Sequence, residues 1–215
     1  MNTDKIRVNP INLCIIYVAL LLFLLPLGAR AQHYLGVRQG VSITGVNFNP
    51  AQHDTSTFHW LNAGVVYKYL DPKWFGFQTG LNYAEKGFIW NNTTRTYRML
   101  ELPLVSQFHF ETWRLRWLVN VGAYAAYALS GEQIVDLGNR KEKSAYAFTD
   151  RDRRFEYGMH GGGGVAYMFD PFELQFEVGY ELAFSYMMKP QVAGQPTMFN
   201  HFYKLLFSVA FLMRL

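Results

Sequence analysis

Apolar and polar residues alternate along most of the chain after residue 31. The clearest case runs from Phe172 to Tyr186, where Phe, Leu, Val and Tyr hold the even positions and Glu, Gln, Gly, Ala and Ser hold the odd ones. A β-strand places alternate side chains on opposite faces, whereas a helix would mix the two sets on every side. The segment is therefore predicted to be a strand with one apolar and one polar face.

The same period of two recurs along the chain and predicts eight strands in all. They cover residues 35–44, 61–69, 75–84, 100–109, 115–127, 154–167, 172–186 and 203–214. Three connections are short, at Asp71–Lys73, Glu111–Trp113 and Asp170–Pro171, and four are long, at 46–59, 87–96, 130–153 and 187–198. Short turns at one end and long loops at the other are typical of outer-membrane β-barrels, with the short turns in the periplasm.

Volume indicates which face of the predicted strands lies inside. An eight-stranded barrel has an interior just wide enough for side chains or one small ligand. The apolar faces carry too many Phe, Tyr, Trp and Leu side chains to fit there, whereas the Gly, Ala, Ser, Asn and charged residues of the opposite faces do fit. We therefore predict an all-β, eight-stranded, antiparallel, up-and-down transmembrane β-barrel with its apolar face towards lipid. The alternative is a soluble, lipocalin-like barrel with the apolar face inward.

Charged residues recur on the predicted inner face. They are Arg38, Lys68, Lys86, Arg116, Arg154, Lys204 and Arg214, opposite Glu101, Glu156, Glu173, Glu177 and Glu181. Buried charges have to be paired, because an isolated charge in a low-dielectric interior is very costly. We therefore predict a polar network that fills the lumen, and not an open diffusion pore.

Aromatic residues gather near both ends of the predicted strands. Those near the short turns are Tyr69, Phe75, Phe108, Trp117, Phe169 and Phe172, and those near the long loops are Tyr83, Tyr97, Tyr127, Tyr157, Phe184 and Tyr203. Two aromatic belts are expected of a barrel that spans a membrane, although aromatic residues also favour strands in general. The chain ends in the alternating Phe211-x-Met213-x-Leu215, which looks like the signal read by the barrel-assembly machinery.

The N-terminus has the three parts of a secretory signal peptide. Lys5 and Arg7 form a basic region, a run from about Leu13 to Leu27 is nearly all apolar, and Ala29-Arg30-Ala31 matches a cleavage site. We predict a cleaved signal peptide at residues 1–31 and an outer-membrane β-barrel domain at 32–215, with a retained membrane anchor as the alternative. The one cysteine, Cys14, lies inside the apolar run, which argues against both a lipoprotein and a disulfide framework.

Composition narrows the function classes. Half of the residues are hydrophobic, yet the mean hydropathy is only -0.03, which disfavours a bundle of transmembrane helices. The net charge of +4 is small and dispersed, so we expect no nucleic-acid partner.

Several short segments resemble the PorT-like outer-membrane β-barrel family of Gram-negative bacteria. They are Gly36–Gly40, Gly80–Tyr83 followed by Lys86-Gly87, Leu100–Leu104 and Gly161–Val165, of which Leu-Glu-Leu-Pro-Leu is the most specific. The resemblance spans residues 32–215 and implies an eight-stranded barrel. The founding member of that family serves type IX protein secretion, and the resemblance does not by itself transfer that role.

No residue set has the spacing of an active site, a metal site or a cofactor site. Gly161–Gly164 lacks the following Lys-Ser/Thr of a phosphate loop and is interpreted as a strand bend or a close packing contact. Ser185 and His201 are the one pair that a lipid-modifying enzyme could use, and ordinary interfacial polarity is the expected explanation of both residues. His160 and Glu156 are interpreted as part of the polar network. We predict no catalytic residues, no metal and no cofactor.

Three functions remain open from the sequence. The first is a non-enzymatic barrel that serves as a structural or accessory component of the envelope or of a type IX-like secretion system. The second is a lipid-modifying enzyme, and the third is a small-solute channel or binding barrel. The expected partners are outer-membrane lipid, the barrel-assembly machinery during insertion, and proteins of an envelope or secretion complex.

Overall fold

The computed structural model describes residues 32–49, 56–90, 92–150, 152–186 and 199–215, and these ranges contain nine β-strands. The strands are β1 (Gln32–Asn49), β2 (Ser56–Leu70), β3 (Phe75–Trp90), β4 (Thr93–Thr112), β5 (Leu115–Asp136), β6 (Lys141–Tyr146), β7 (Phe155–Phe169), β8 (Phe172–Ala183) and β9 (Phe199–Arg214). The predicted signal peptide at 1–31 lies outside the described residues.

The strands pair into a closed antiparallel ring. The order is β4-β3-β2-β1-β9-β8-β7-β5, and a further pairing between β4 and β5 closes it. The predicted antiparallel, up-and-down order is therefore confirmed. The predicted count of eight does not describe the whole sheet, because a ninth strand, β6, pairs with the far part of β5. That strand lies in the segment predicted to be the long loop 130–153.

The two ends of the ring have different connections, as predicted. At the turn end, short turns follow β2, β4 and β7, at residues 71–74, 113–114 and 170–171. At the loop end, the predicted long loop 87–96 is wrong. β3 and β4 extend through this segment, and their backbones stay paired as far as Trp90 and Thr93. The pairing continues beyond the residues in which apolar and polar side chains alternate clearly.

The ring wall has one apolar and one polar face. Along β1, Val37 on the outer face is 59% exposed, whereas its neighbour Arg38 on the inner face is 5% exposed. The same alternation runs through β4, β5, β7 and β8. The predicted orientation, apolar outside and polar inside, is confirmed, and the lipocalin-like alternative is wrong. Within the described part of the chain, no helix has the length and apolar character needed to cross a bilayer.

Aromatic rings on the outer wall contact one another near the turn end. Trp74 stacks on Phe108 with ring centroids 5.6 Å apart, and Phe172 stacks on Phe211 at 5.2 Å. At the loop end, the predicted belt residue Tyr97 is wrongly placed, since its side chain is buried inside the ring. Tyr97 shares the odd-numbered face of β4 with Glu101 and Gln107, and the period of two requires all three to point inward.

Glycines of β7 let the neighbouring strand approach closely. A Cβ atom at Gly164 would collide with the carbonyl oxygen of Phe176, and one at Gly162 would collide with that of Val178. Gly161 differs, because nothing lies within 4 Å of the position a Cβ would take. The interpretation of the glycine run as a close packing contact is therefore confirmed for the two glycines on the inner face.

We expect Gly164→Ala to lower the free energy of unfolding by about 1–3 kcal/mol, because the added methyl group forces β7 and β8 apart. Gly161→Ala is the matched control and is expected to be neutral or slightly stabilising, since its Cβ meets open space. Urea titration of the two purified variants in one detergent, followed by tryptophan fluorescence, measures the difference. Equal stability of the two variants would contradict the packing role.

Candidate functional site

The candidate site is the lumen of the ring, which is lined by buried charged residues. Among the described residues, five buried cations face five buried carboxylates. The cations are Arg38, Lys68, Lys86, Arg116 and Lys204, and the carboxylates are Glu101, Glu156, Glu173, Glu177 and Glu181. Every strand of the ring contributes at least one of these ten residues. The predicted polar network is confirmed, and its formal charges cancel.

Near the turn end, Glu173 of β8 binds two cations from other strands. Its carboxylate oxygens accept hydrogen bonds from Lys68 of β2 and from Arg116 of β5. Lys68 also donates to Gln175 at 2.7 Å, and Arg116 also donates to Glu111 at 2.6 Å. Charge-assisted bonds of this kind satisfy most of the polar groups that the fold removes from water.

The middle of the lumen combines one ion pair with neutral amides. Glu177 accepts hydrogen bonds from Arg38 and from Asn120. Gln107 links this layer together, since its side-chain nitrogen lies 3.0 Å from the oxygen of Asn120 and 3.3 Å from that of Gln78. These amides join the neighbouring strands β3, β4 and β5 along the wall, and Gln175 of β8 donates across the lumen to Gln78 at 3.0 Å, so the layer leaves little room for a continuous passage.

The loop-end layer is centred on Lys86 of β3. Its ammonium group lies 2.8 Å from Glu101, 2.7 Å from Glu156 and 3.4 Å from Glu181. Lys204 of β9 lies 2.6 Å from Glu101 and 2.8 Å from Glu181, so two cations share these carboxylates. Because β3 lies opposite β7 and β8 in the ring, the contacts of Lys86 cross the lumen.

Two of the predicted inward charges are not inward. Arg154 precedes β7 and is exposed, and its guanidinium lies 4.3 Å from the ring centroid of Phe148. Arg214 is the last residue of β9 and is exposed at the turn end, where it pairs with Asp170 at 2.7 Å. Both residues continue the alternation of their strands but lie beyond the ends of the lumen.

Histidine 160 and Glu156 both take part in the polar network, with different partners. His160 Nδ1 lies 3.5 Å from Glu181, which is its neighbour on β8. Glu156 instead accepts a hydrogen bond from the Tyr124 hydroxyl at 2.8 Å and pairs with Lys86. Neither contact joins His160 to Glu156.

The structure places Ser185 and His201 on different faces of the wall. Ser185 is buried on the lumen side, and its hydroxyl oxygen accepts a hydrogen bond from the Tyr157 backbone N–H at 3.2 Å. His201 precedes the lumen-facing Phe202 on β9, and its Nδ1 lies 3.0 Å from the carbonyl oxygen of Ala183. Each side chain is therefore engaged with the backbone of a neighbouring strand.

The described ranges contain no candidate metal site. No group of three or more His, Cys, Asp or Glu side chains there is arranged to hold a metal ion. The carboxylates of the lumen are instead neutralised by Lys and Arg.

The β5–β6 hairpin extends past the last pairing of β5 with β7, at Tyr127 and Phe155. It turns at Gly138, whose φ of 83° is in the left-handed region that glycine readily adopts. On the hairpin, the hydrogen bond that Lys143 donates lowers the pKa of the Glu132 carboxyl, to which Lys143 lies 2.8 Å away. Within the described residues, β6 pairs only with β5, so its other edge carries free backbone groups.

Two structural features of the loop end were not predicted from the sequence. One is the strand β6, and the other is an apolar cluster inside the lumen that includes Tyr97, Met99 and Phe202. The inward position of Tyr97 could have been read from the alternation of β4. The contact between Tyr97 and Phe202 could not be predicted from the alternation, because it depends on how β4 and β9 face each other across the closed ring.

Comparisons with known proteins agree with this architecture. Residues 30–189 match the family described as "Outer membrane protein beta-barrel domain". No curated protein matches the chain in sequence. The narrower resemblance to PorT-like proteins stays a prediction.

Several solved structures are similar to the chain in fold. Neisserial surface protein A, NspA, is 14% identical, with a TM-score of 0.44 over 84% of this chain and 97% of that chain. The attachment invasion locus protein Ail of Yersinia pestis is 8% identical, with a TM-score of 0.40 over 85% of this chain and 99% of that chain. The outer membrane enzyme PagL is 11% identical, with a TM-score of 0.34 over 79% of this chain and 97% of that chain.

The family match covers most of the chain, and it includes the strands that supply the charged lumen from β1 to β8. The description of this family names the outer membrane. The chain belongs to the outer membrane protein beta-barrel domain family and is a protein of the outer membrane.

Proposed function

We propose that the chain is a non-enzymatic, membrane-spanning barrel that serves as a structural or accessory component of the envelope, including a secretion complex of the type IX kind. The observation that carries this proposal is the balanced network of five cations and five carboxylates in the lumen. Such a network holds the wall strands together and occupies the space that a solute would need. A filled barrel acts through its surfaces, and its partners are lipid and other proteins.

The outer wall supports the contact with lipid. Its exposed side chains are mostly large and apolar along β4, β5, β7, β8 and β9, which is the face that lipid tails would cover. In this proposal residues 1–31 serve as the cleaved signal for export, and the alternating C-terminal strand engages the barrel-assembly machinery.

The β5–β6 hairpin supports the contact with proteins. The side chains of β6 from Lys141 to Ala145 are exposed, and the strand pairs on one side only within the described residues. An edge strand presents unpaired N–H and C=O groups to which an extended segment of another protein can add as a further strand. The charged residues of β6 limit nonspecific pairing while leaving that edge accessible.

We expect the protein to be found in the outer-membrane fraction and to migrate faster on a gel before boiling than after. A closed strand ring that resists detergent stays compact until heat opens it. The measurement is gel mobility of the membrane fraction with and without boiling, with a known soluble periplasmic protein as the control. A soluble protein without a mobility change would contradict a membrane-spanning barrel.

We expect Lys86→Gln to lower the free energy of unfolding by about 3–5 kcal/mol, because three carboxylates lose a shared buried cation. The wild type is expected to give no discrete current steps in a planar bilayer, and Lys86→Gln to allow cation-selective openings. Lys143→Gln is the matched control, since Lys143 is exposed on the hairpin and its loss leaves the lumen intact. Steady conductance of the wild type would argue for a channel instead.

We expect a shortened β5–β6 hairpin to lose its protein partner while the barrel still forms. In this variant residues 133–144 are replaced by a two-residue turn, which removes the free edge of β6. The measurement compares, after crosslinking of intact cells, the proteins that co-purify with the tagged wild type and with the tagged variant. The unboiled gel shift of the variant shows that the ring is closed. An unchanged set of partners would remove the hairpin from the proposal.

A further inference from the structure

The loop end of the lumen is apolar, in contrast to the charged layers beneath it. The buried cluster there consists of Val46, Phe88, Tyr97, Met99, Tyr124, Ala126, Ala128, Ala183 and Phe202. We call this region the vestibule. Its floor is Tyr124, whose hydroxyl donates to Glu156 at 2.8 Å and whose ring lies 4.6 Å from the Lys86 ammonium. The vestibule therefore ends on the ion-pair layer and opens towards the loop side.

Two aromatic side chains, one at the end of β6 and one just after it, close the vestibule from above. Tyr146 and Phe148 are partly buried against the cluster. The Phe148 ring centroid lies 6.0 Å from that of Tyr97 and 5.8 Å from that of Tyr146. The Phe148 ring is thus held between the rings of Tyr97 and Tyr146, in a space that fits a single aromatic ring.

The residues of the cluster are held more firmly than the Phe148 side chain that closes the vestibule. The cluster residues lie on paired strands of the wall, whereas Phe148 lies between β6 and β7 in a segment outside any strand. That segment is tied mainly through Asp152, which accepts from the Thr149 backbone N–H at 2.7 Å and from the Tyr146 hydroxyl at 3.0 Å. The Thr149 bond is exposed and the Tyr146 bond is only part-buried. Such hydrogen bonds contribute little, so Phe148 can leave while the strands keep the vestibule in shape.

Beneath Phe148 lies a cavity of about 20 Å³. Its lining includes the apolar side chains of Met99, Ala128 and Phe202 and the charged residues Asp152, Arg153 and Glu156. That volume holds about one water molecule, so nothing larger fits while Phe148 is in place. Removal of the ring would add its own volume. A space on the order of 150 Å³ is enough for benzene in an apolar protein cavity.

One polar group in the vestibule is incompletely satisfied. The Tyr97 side chain is 5% exposed, and its hydroxyl makes no hydrogen bond of standard geometry among the described residues, where Arg95 is the nearby side chain that interacts with it. A buried hydroxyl that is incompletely satisfied is costly, and a ligand hydroxyl beside it would lower that cost.

Cations already lie over the closing rings. The Arg95 guanidinium is 4.9 Å from the Tyr146 ring centroid, and that of Arg154 is 4.3 Å from the Phe148 ring centroid. These positions, which a positively charged ligand would seek on an aromatic ring, are taken. The two cations therefore disfavour a positively charged ligand, and the Asp152 and Glu156 carboxylates of the cavity lining disfavour an anion, so the surroundings favour a neutral ligand.

We propose that the vestibule is a binding site for a small neutral molecule with a single aromatic ring and one hydroxyl group, which takes the place of the Phe148 ring. The ring of the ligand packs against Tyr97 and Phe202, and its hydroxyl pairs with that of Tyr97. This inference goes beyond the proposed function and does not depend on the identity of any protein partner.

The first test measures binding of 4-fluorophenol by ¹⁹F NMR to the full-length mature protein in lipid nanodiscs. Phe148→Ala is expected to bind about tenfold more tightly than the wild type, because the ligand no longer competes with the ring. Phe176→Ala is the matched control, since Phe176 is exposed on the outer wall, and it is expected to bind as the wild type does. The unboiled gel shift checks that each variant is folded.

The second test separates the role of the ring from that of the hydroxyl. We expect Tyr97→Phe to lower the affinity for 4-fluorophenol about fivefold and to leave that for fluorobenzene unchanged, since one hydrogen bond is lost. Absence of binding to both the wild type and Phe148→Ala would overturn the proposal. So would an equal gain in Phe176→Ala, which would mean that the probe enters lipid or the outer wall.

Discussion

The pairing of charges inside the ring is the constraint on which the rest of this structure depends. Since the outer face of each strand is apolar, the alternate positions have to point inward, and ten of them carry charges. A buried charge is tolerated only with a partner, and Lys86 finds its partners on the neighbouring strand β4 and, across the lumen, on β7 and β8. A slip of one residue in any strand would turn its charges outward and leave their partners unpaired, so the network fixes the register of the strands together.

The requirement to pair buried charges ends where the lumen ends, and charged residues beyond it make different contacts. Arg154 and Arg214 continue the alternation of their strands but pair with Phe148 and Asp170 outside the lumen. On β6 no face is buried, and its charged side chains pair with those of β5, for example Lys143 with Glu132. The ring strands are thus held by the charge pairs in the lumen, whereas the β5–β6 hairpin has an edge and faces that are free for contacts.

Alternation along the sequence was enough to predict the strands of the ring, their antiparallel order and the side that faces lipid. It failed at β6, because Lys141–Tyr146 carries no apolar face and its pairing depends on the neighbouring β5. It also could not give the partners inside the lumen. Which carboxylate meets Lys68 or Lys86 is decided by how a closed ring brings distant strands together, and those strands are far apart in the chain.

The layered lumen also explains why the vestibule would hold a ligand and not pass it on. Tyr124 forms its floor and belongs to both regions: its ring is part of the apolar cluster, and its hydroxyl donates to Glu156 of the ion-pair network. A neutral aromatic molecule that displaced Phe148 would meet apolar partners down to this floor and paired charges below it. To go further, it would have to separate Lys86 from Glu156 and leave that buried carboxylate without its cation, which costs more than one ring can return through its packing. The same ion pairs that close the barrel would therefore make the vestibule a dead end that is open only towards the loops.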